Sequence, residues 1–273
     1  MNRILLLTKN GFRSILHARS LYLWLLAVLL IAIRLLPLLL IPNPTNLPPG
    51  MTPQMQARFA EAIKNRRPNG MAGGLNDWSV LCIVFGILVG ANALATEVNA
   101  KTIITTLARP VHRWEVLFGK WIAIQLFSIL SLAIGLAVFK AAAAYFDVTF
   151  SSIVWMALAH ALAATMLYSA IAMAFSTIIS PAVSGALAVL LSFLPGFVTF
   201  LLDDADRFRH AAGVVLDYVV PPGYSNLYTY AVRAGAVLDY SAQSKTLLEN
   251  LGYCAIFFVL GCLLFTKREI RLG

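Results

Sequence analysis

Charge is what this chain has least of. Only 12% of its 273 residues are Asp, Glu, Lys or Arg, and 60% are hydrophobic. An ordinary soluble domain carries roughly 25% charged residues. No single core can hide that deficit, and with a mean hydropathy of +0.80 much of the chain must have a bilayer as its solvent. Cysteine is nearly absent too. Cys82, Cys254 and Cys262 all lie in apolar runs and form no Cys-x-x-Cys pair, which excludes a disulfide framework and reads as small buried thiols. The sequence has no His-Glu-x-x-His, no Gly-x-Ser-x-Gly and no metal-ligand cluster. A phosphate-cradling loop is also missing, because Gly119-Lys120-Trp121 lacks both the leading glycine and the hydroxyl. The net charge of +9 does not make the chain a nucleic-acid binder, since its Lys and Arg flank apolar runs and interleave with no aromatic patch.

What the chain does have is six apolar runs near 21–41, 78–96, 121–145, 153–179, 182–202 and 247–266, each able to supply the ~20 residues that cross a bilayer. Residues 1–20 predict a helix lying on the membrane surface, with Ile4, Leu5, Phe12, Ile15 and Leu16 on one side and Arg3, Asn10, Arg13 and His17 on the other. No small-residue cleavage site follows it, so it does not read as a signal peptide. Six spans place both termini on one side. Segments 1–20, 97–120 and 267–271 carry 11 Lys and Arg against 8 in 42–77 and 203–246, which puts the termini inside. The two outer segments are expected to hold short helices. One is near 52–65, followed by Gly73-Gly74. The other lies within 203–246, where Tyr224, Tyr228 and Tyr230 suit a wet membrane edge.

Several residues invite two readings. Arg34 and Lys140 fall inside runs and either snorkel outward or line a substrate path. His160 reads as a hydrogen-bonded membrane histidine before it reads as catalytic. Gly86 and Gly90 form a Gly-x-x-x-Gly pair that lets helices approach, within the chain or between copies. Pro195-Gly196 should kink its helix or end the hydrogen-bond ladder, as a hinge or as a packing feature. Asp203-Asp204-Ala205-Asp206 suggests a magnesium-diphosphate enzyme of the prenyltransferase kind, but the second Asp cluster that such chemistry needs is missing.

The sharpest signal is the charged island from Glu97 to Lys120, EVNAKTIITTLARPVHRWEVLFGK. Pro110 must stop the helix that precedes it, and a second helix then runs into the membrane. Glu97, Thr102, Ala108, Arg109, Pro110, Arg113, Gly119 and Lys120 fall in a pattern that resembles the coupling segment of ABC-2 type transporter permeases. Asn99-Ala100-Lys101 stands where many members carry an acidic residue and a glycine. The C-terminal Phe265-Thr-Lys-Arg-Glu-Ile-Arg271 also resembles that family's ending, and the likeness is nearest to the permeases for multicopper-enzyme or nitrous-oxide-reductase maturation. The resemblance implies an all-α inner-membrane protein in which residues 1–273 form one transmembrane domain. Such a protein binds no cofactor itself, because ATP and magnesium sit in a separate ATPase subunit. It implies a dimer with a second permease copy or close paralogue, an export path lined by the first, second and fifth spans, and contact with membrane lipid but no nucleic acid. Coupling to the ATPase would fall to Glu97, Lys101, Thr102, Ile103, Ile104, Leu107, Arg109, Pro110 and Arg113, with Glu97 and Arg113 paired across the turn. The rival reading from another class is an ATP-independent scaffold or channel whose 97–108 helix is an ordinary amphipathic connector.

Overall fold

The computed structural model describes residues 3–17, 22, 24–25, 28–29, 52–99, 112–202, 222, 224, 226–233 and 236–267. These residues form helices and connecting turns, with no strand among them. The helices are α1 (Arg3–His17), α2 (Pro53–Asn99), α3 (Arg113–Tyr145), α4 (Ile153–Ser176), α5 (Pro181–Leu202), α6 (Tyr228–Val232) and α7 (Tyr240–Lys267). Four of them hold stretches long and apolar enough to cross a membrane: Arg66–Ala93, Arg113–Tyr145, Ile153–Ser176 and Tyr240–Lys267. A shorter apolar stretch occupies Pro181–Leu194. The runs near 21–41 and 100–111 and the Asp203–Asp206 cluster lie wholly or largely outside the described residues.

α4 is the centre of the packing. Its alanines Ala157, Ala161, Ala164 and Ala172 are wholly buried, because small side chains let neighbouring helices approach closely where lipid supplies no hydrophobic drive. α2 crosses α4 at Gly86 and Gly90. A Cβ at Gly86 would lie 2.6 Å from Thr165 Cγ2, and one at Gly90 would lie 2.9 Å from the Ser169 carbonyl oxygen. Polar groups add crosslinks: Gln125 of α3 donates to Ser169 Oγ at 3.0 Å and Ser184 of α5 donates to the Ala172 carbonyl at 2.5 Å. On the other side of α2, the Trp78 indole covers Gly135 of α3 so closely that any Cβ there would overlap it, and Trp78 Nε1 donates to the Ser131 carbonyl at 2.9 Å.

The bounds of α2 and α7 differ from the sequence expectation, one through packing and one through a helix cap. α2 does not break at Gly73-Gly74 but runs unbroken from Pro53 through Pro68. Each glycine costs about 1 kcal/mol against alanine in a helix interior, and the full burial of Met71, Ala72 and Leu75 around them outweighs that. α7 begins at Tyr240, not near 247, because Asp239 caps it. Asp239 Oδ1 accepts from the Ser241 and Ala242 N–H groups at 3.0 and 3.2 Å and from Ser241 Oγ at 2.8 Å. These bonds, led by the Ser241 hydroxyl, hold its carboxyl below the usual range. α5 continues through Pro195-Gly196 to Leu202, so the pair does not end the helix.

The short α6 is not a wet membrane-edge element throughout. Tyr228 is fully buried and its hydroxyl meets Ser79 Oγ of α2 at 2.7 Å; burial pushes its phenol up to about 12. Tyr230 remains exposed. α6 also joins the α3–α4 turn, where the Ser151 N–H donates to the Ala231 carbonyl at 2.8 Å. That turn opens with Asp147 in the left-handed region at φ 55°, and the Val148 N–H closes back on the Ala143 carbonyl at 2.8 Å. This is the Schellman stop of α3, with Asp in the place glycine usually takes.

Candidate functional site

The described parts of the charged island are its entry, residues 97–99 at the end of α2, and its exit, residues 112–120. Here α3 starts as the sequence allows. Glu115 accepts the His112 N–H at 3.0 Å, the return half of a capping box, and its carboxylate sits where the helix dipole favours an anion. Arg113 beside it is on the wrong end of its own helix for a cation. Its partners explain the placement. Arg113 donates to the carbonyls of Phe265 and Thr266 at 3.3 and 3.2 Å, the last turn of α7. These carbonyls lie in the last described turn of α7, where a cation meets the negative end of the helix dipole.

Lys120 and Gly119 complete the junction. Lys120 Nζ donates to the Ala93 carbonyl of α2. Gly119 receives α1: a Cβ there would lie 2.7 Å from Leu7 Cβ and 3.3 Å from the Thr8 nitrogen, and Gly11 in turn faces Ala123. α1 therefore packs through Leu7, Thr8, Gly11 and Ile15, while Leu5 and Leu16 are 61% and 38% exposed. The face expected from the helical wheel is rotated, because a wheel of apolar residues cannot see that two glycines set the crossing. Aromatic contacts reinforce the joint to α7: Phe118 and Trp121 lie 5.6 and 5.2 Å from Phe258. Phe127 stacks on Phe85 of α2 at 4.9 Å. The first turns of α3 are thus fastened to α1, α2 and α7.

The other expected site residues fall as follows. Glu97 lies in the last turn of α2, but its side chain lies outside the described residues, as do Arg34, Lys101, Thr102, Ile103, Ile104, Leu107, Arg109 and Pro110. Gly86 and Gly90 face α4 within the chain. Lys140 lies at the far end of α3 with its ammonium 5.0 Å from the Trp155 ring centre. Pro195 and Gly196 are within α5. His160 is fully buried in α4, and neither ring nitrogen makes a hydrogen bond of ordinary geometry among the described residues. No cluster of three metal-ligating side chains occurs among the described residues. Gly119 and Lys120 belong to the family pattern, and in the structure they serve as a helix contact and a carbonyl anchor. The sequence signal for those roles is a glycine beside a lysine at the membrane edge of a span, a close helix contact next to a group that seeks carbonyls.

No curated protein matches the chain by sequence. A family model described as an ABC-2 family transporter protein matches residues 7–270. The chain therefore belongs to the ABC-2 family of transporter membrane proteins.

Proposed function

We propose that the chain is the permease half of an ABC exporter, driven by a separate ATPase subunit that holds the ATP and magnesium. Two permease copies, or one and a close paralogue, would meet in the bilayer and enclose the path between their first, second and fifth spans. In this reading the chain crosses the inner membrane six times with both termini in the cytoplasm, and α1 rests on the inner membrane surface. The segment 97–120 docks in the ATPase, with Ile103, Ile104 and Leu107 as its apolar side and Glu97 and Arg113 bracing the turn. The likeness to maturation permeases suggests a placement within the family and leaves the cargo open.

The observation that carries the reading is the junction at the base of α3. The two cations that belong to the family pattern, Arg113 and Lys120, each bond a backbone carbonyl of a different neighbouring helix. Such bonds cap helix ends in any bundle; in a lever they also make force delivered at one residue move the bundle and not bend a single helix.

The chain purified from its own membrane should bring with it, in equal amount, a P-loop protein bearing a Leu-Ser-Gly-Gly-Gln signature. Purification with no such partner would favour the scaffold or channel reading. Orientation is checked separately. Cysteines at Asp206 and Ser241 should react with a membrane-impermeant thiol reagent on intact spheroplasts. Labelling only after lysis would invert the topology.

A further inference from the structure

Lys120 and Lys140 bracket a stretch of α3, residues 121–139, with no charged side chain. Their separation along the helix is about 30 Å, the thickness of the hydrocarbon core. Lys140 is therefore at the membrane edge remote from Arg113, and Trp155, at the start of α4, is level with it in the belt where indoles prefer to sit. Below them α3 and α4 part to leave an open groove of about 500 Å³. Leu132 and Leu136 form its floor and are nearly buried; Ala133, Ala137 and Ala159 give it depth. Ala133 and Ala137 are each two residues from Gly135, so they point away from the side of α3 that Trp78 covers. The groove thus opens outward from the α2 contact.

We propose that this groove holds an acyl chain of an anionic phospholipid whose phosphate sits on the Lys140 ammonium, in the leaflet remote from Arg113. Three observations select this occupant. The groove runs from Ile129 to Lys140, about 16 Å of helix, the depth of one leaflet. Its walls are apolar up to its mouth, as a hydrocarbon tail requires. Among the described residues its single charged lining residue is the lysine at the mouth, with no carboxylate in that lining to answer it, so charge complementarity asks for an anion from the ligand. A helix from a second copy would have to cover that ammonium and bring its own carboxylate to the same level.

The full-length protein in phosphatidylcholine vesicles provides the test, with chain-brominated lipids as quenchers. The Trp155 fluorescence is isolated as the difference between the wild type and Trp155→Phe. Brominated phosphatidylglycerol should half-quench it at about fivefold lower mole fraction than brominated phosphatidylcholine, the preference that one interfacial cation gives for an anionic lipid. Lys140→Gln should bring the two lipids to parity, Lys140→Arg should keep the preference, and Ala137→Phe should weaken quenching by both. Parity in the wild type would overturn the anionic headgroup. Failure of either lipid to quench Trp155 would overturn the lipid itself and point to protein covering the groove. The wild-type comparison decides by itself, so a variant that fails to fold does not rescue the proposal.

Discussion

Replacing Ile104 and Leu107 together with Asp is expected to strip the ATPase subunit from the permease while leaving the permease folded. The two residues lie in the charged island, and the proposed coupling helix would put them on one apolar side with Ile103. An apolar side flanked by charge at the membrane edge needs a protein cover, because exposed apolar patches of that kind mark interaction sites. Each aliphatic side chain loses about 1.5–3 kcal/mol of burial when its apolar surface is removed from a contact. Each new carboxylate would also have to give up water in that contact, which costs more unless the contact supplies a partner. A total loss of at least ~4 kcal/mol corresponds to about a thousandfold in dissociation constant, enough to empty a micromolar complex during purification. The permease itself should survive, since α3 is held from residue 112 onward by Glu115, Arg113, Gly119 and Lys120, none of which is changed. The measurement is the ratio of ATPase to permease after affinity purification, together with the thermal unfolding of the permease. An unchanged ratio would remove 97–108 from the docking surface.

The elements that the sequence made legible are those whose boundary lies at a change in chemistry. α3 and α4 end where an apolar run meets polar turn residues, and they span 113–145 and 153–176 where apolar runs predicted 121–145 and 153–179. Boundaries set by tertiary contact were not legible. Gly73-Gly74 reads as a break after a short external helix, yet Met71, Ala72 and Leu75 are buried around it and α2 continues. The α7 start was hidden in a polar segment, although Asp239-Tyr-Ser241 is a cap signal that hydropathy ignores. In the candidate site, pattern alone picked out Arg113, Gly119 and Lys120. Their partners at Phe265, Leu7 and Ala93 lie 152, 112 and 27 residues away, and no periodicity within one helix could have paired them. The same limit applies to Lys140: the sequence shows a lysine in an apolar run, whereas the indole that receives it belongs to the next helix.

Arg113→Gln is expected to leave the ATPase bound but to free the end of α7. The guanidinium makes two charge-assisted bonds to the Phe265 and Thr266 carbonyls, and such bonds contribute roughly 1.5–3 kcal/mol each. Glutamine is shorter and neutral, so it neither spans the gap between α3 and α7 nor complements the dipole at the end of α7. Losing even one bond's worth shifts the balance between a docked and a frayed last turn by roughly ten- to a hundredfold. A cysteine at Thr266 reads this directly: its rate of alkylation should rise by about that factor in Arg113→Gln. Arg113→Lys should give a smaller rise, because both bonds leave the single nitrogen Nη1, and an ammonium restores that charge and donor on a differently shaped side chain. If the junction transmits force, ATP hydrolysis in the purified complex should lose its stimulation by transport while the amount of bound ATPase stays the same. That split separates force transmission from docking, since the Asp substitutions at Ile104 and Leu107 remove the ATPase and Arg113→Gln leaves it idling. An alkylation rate unchanged from wild type would show that the aromatic contacts of Phe118 and Trp121 with Phe258 hold α7 in place without the arginine.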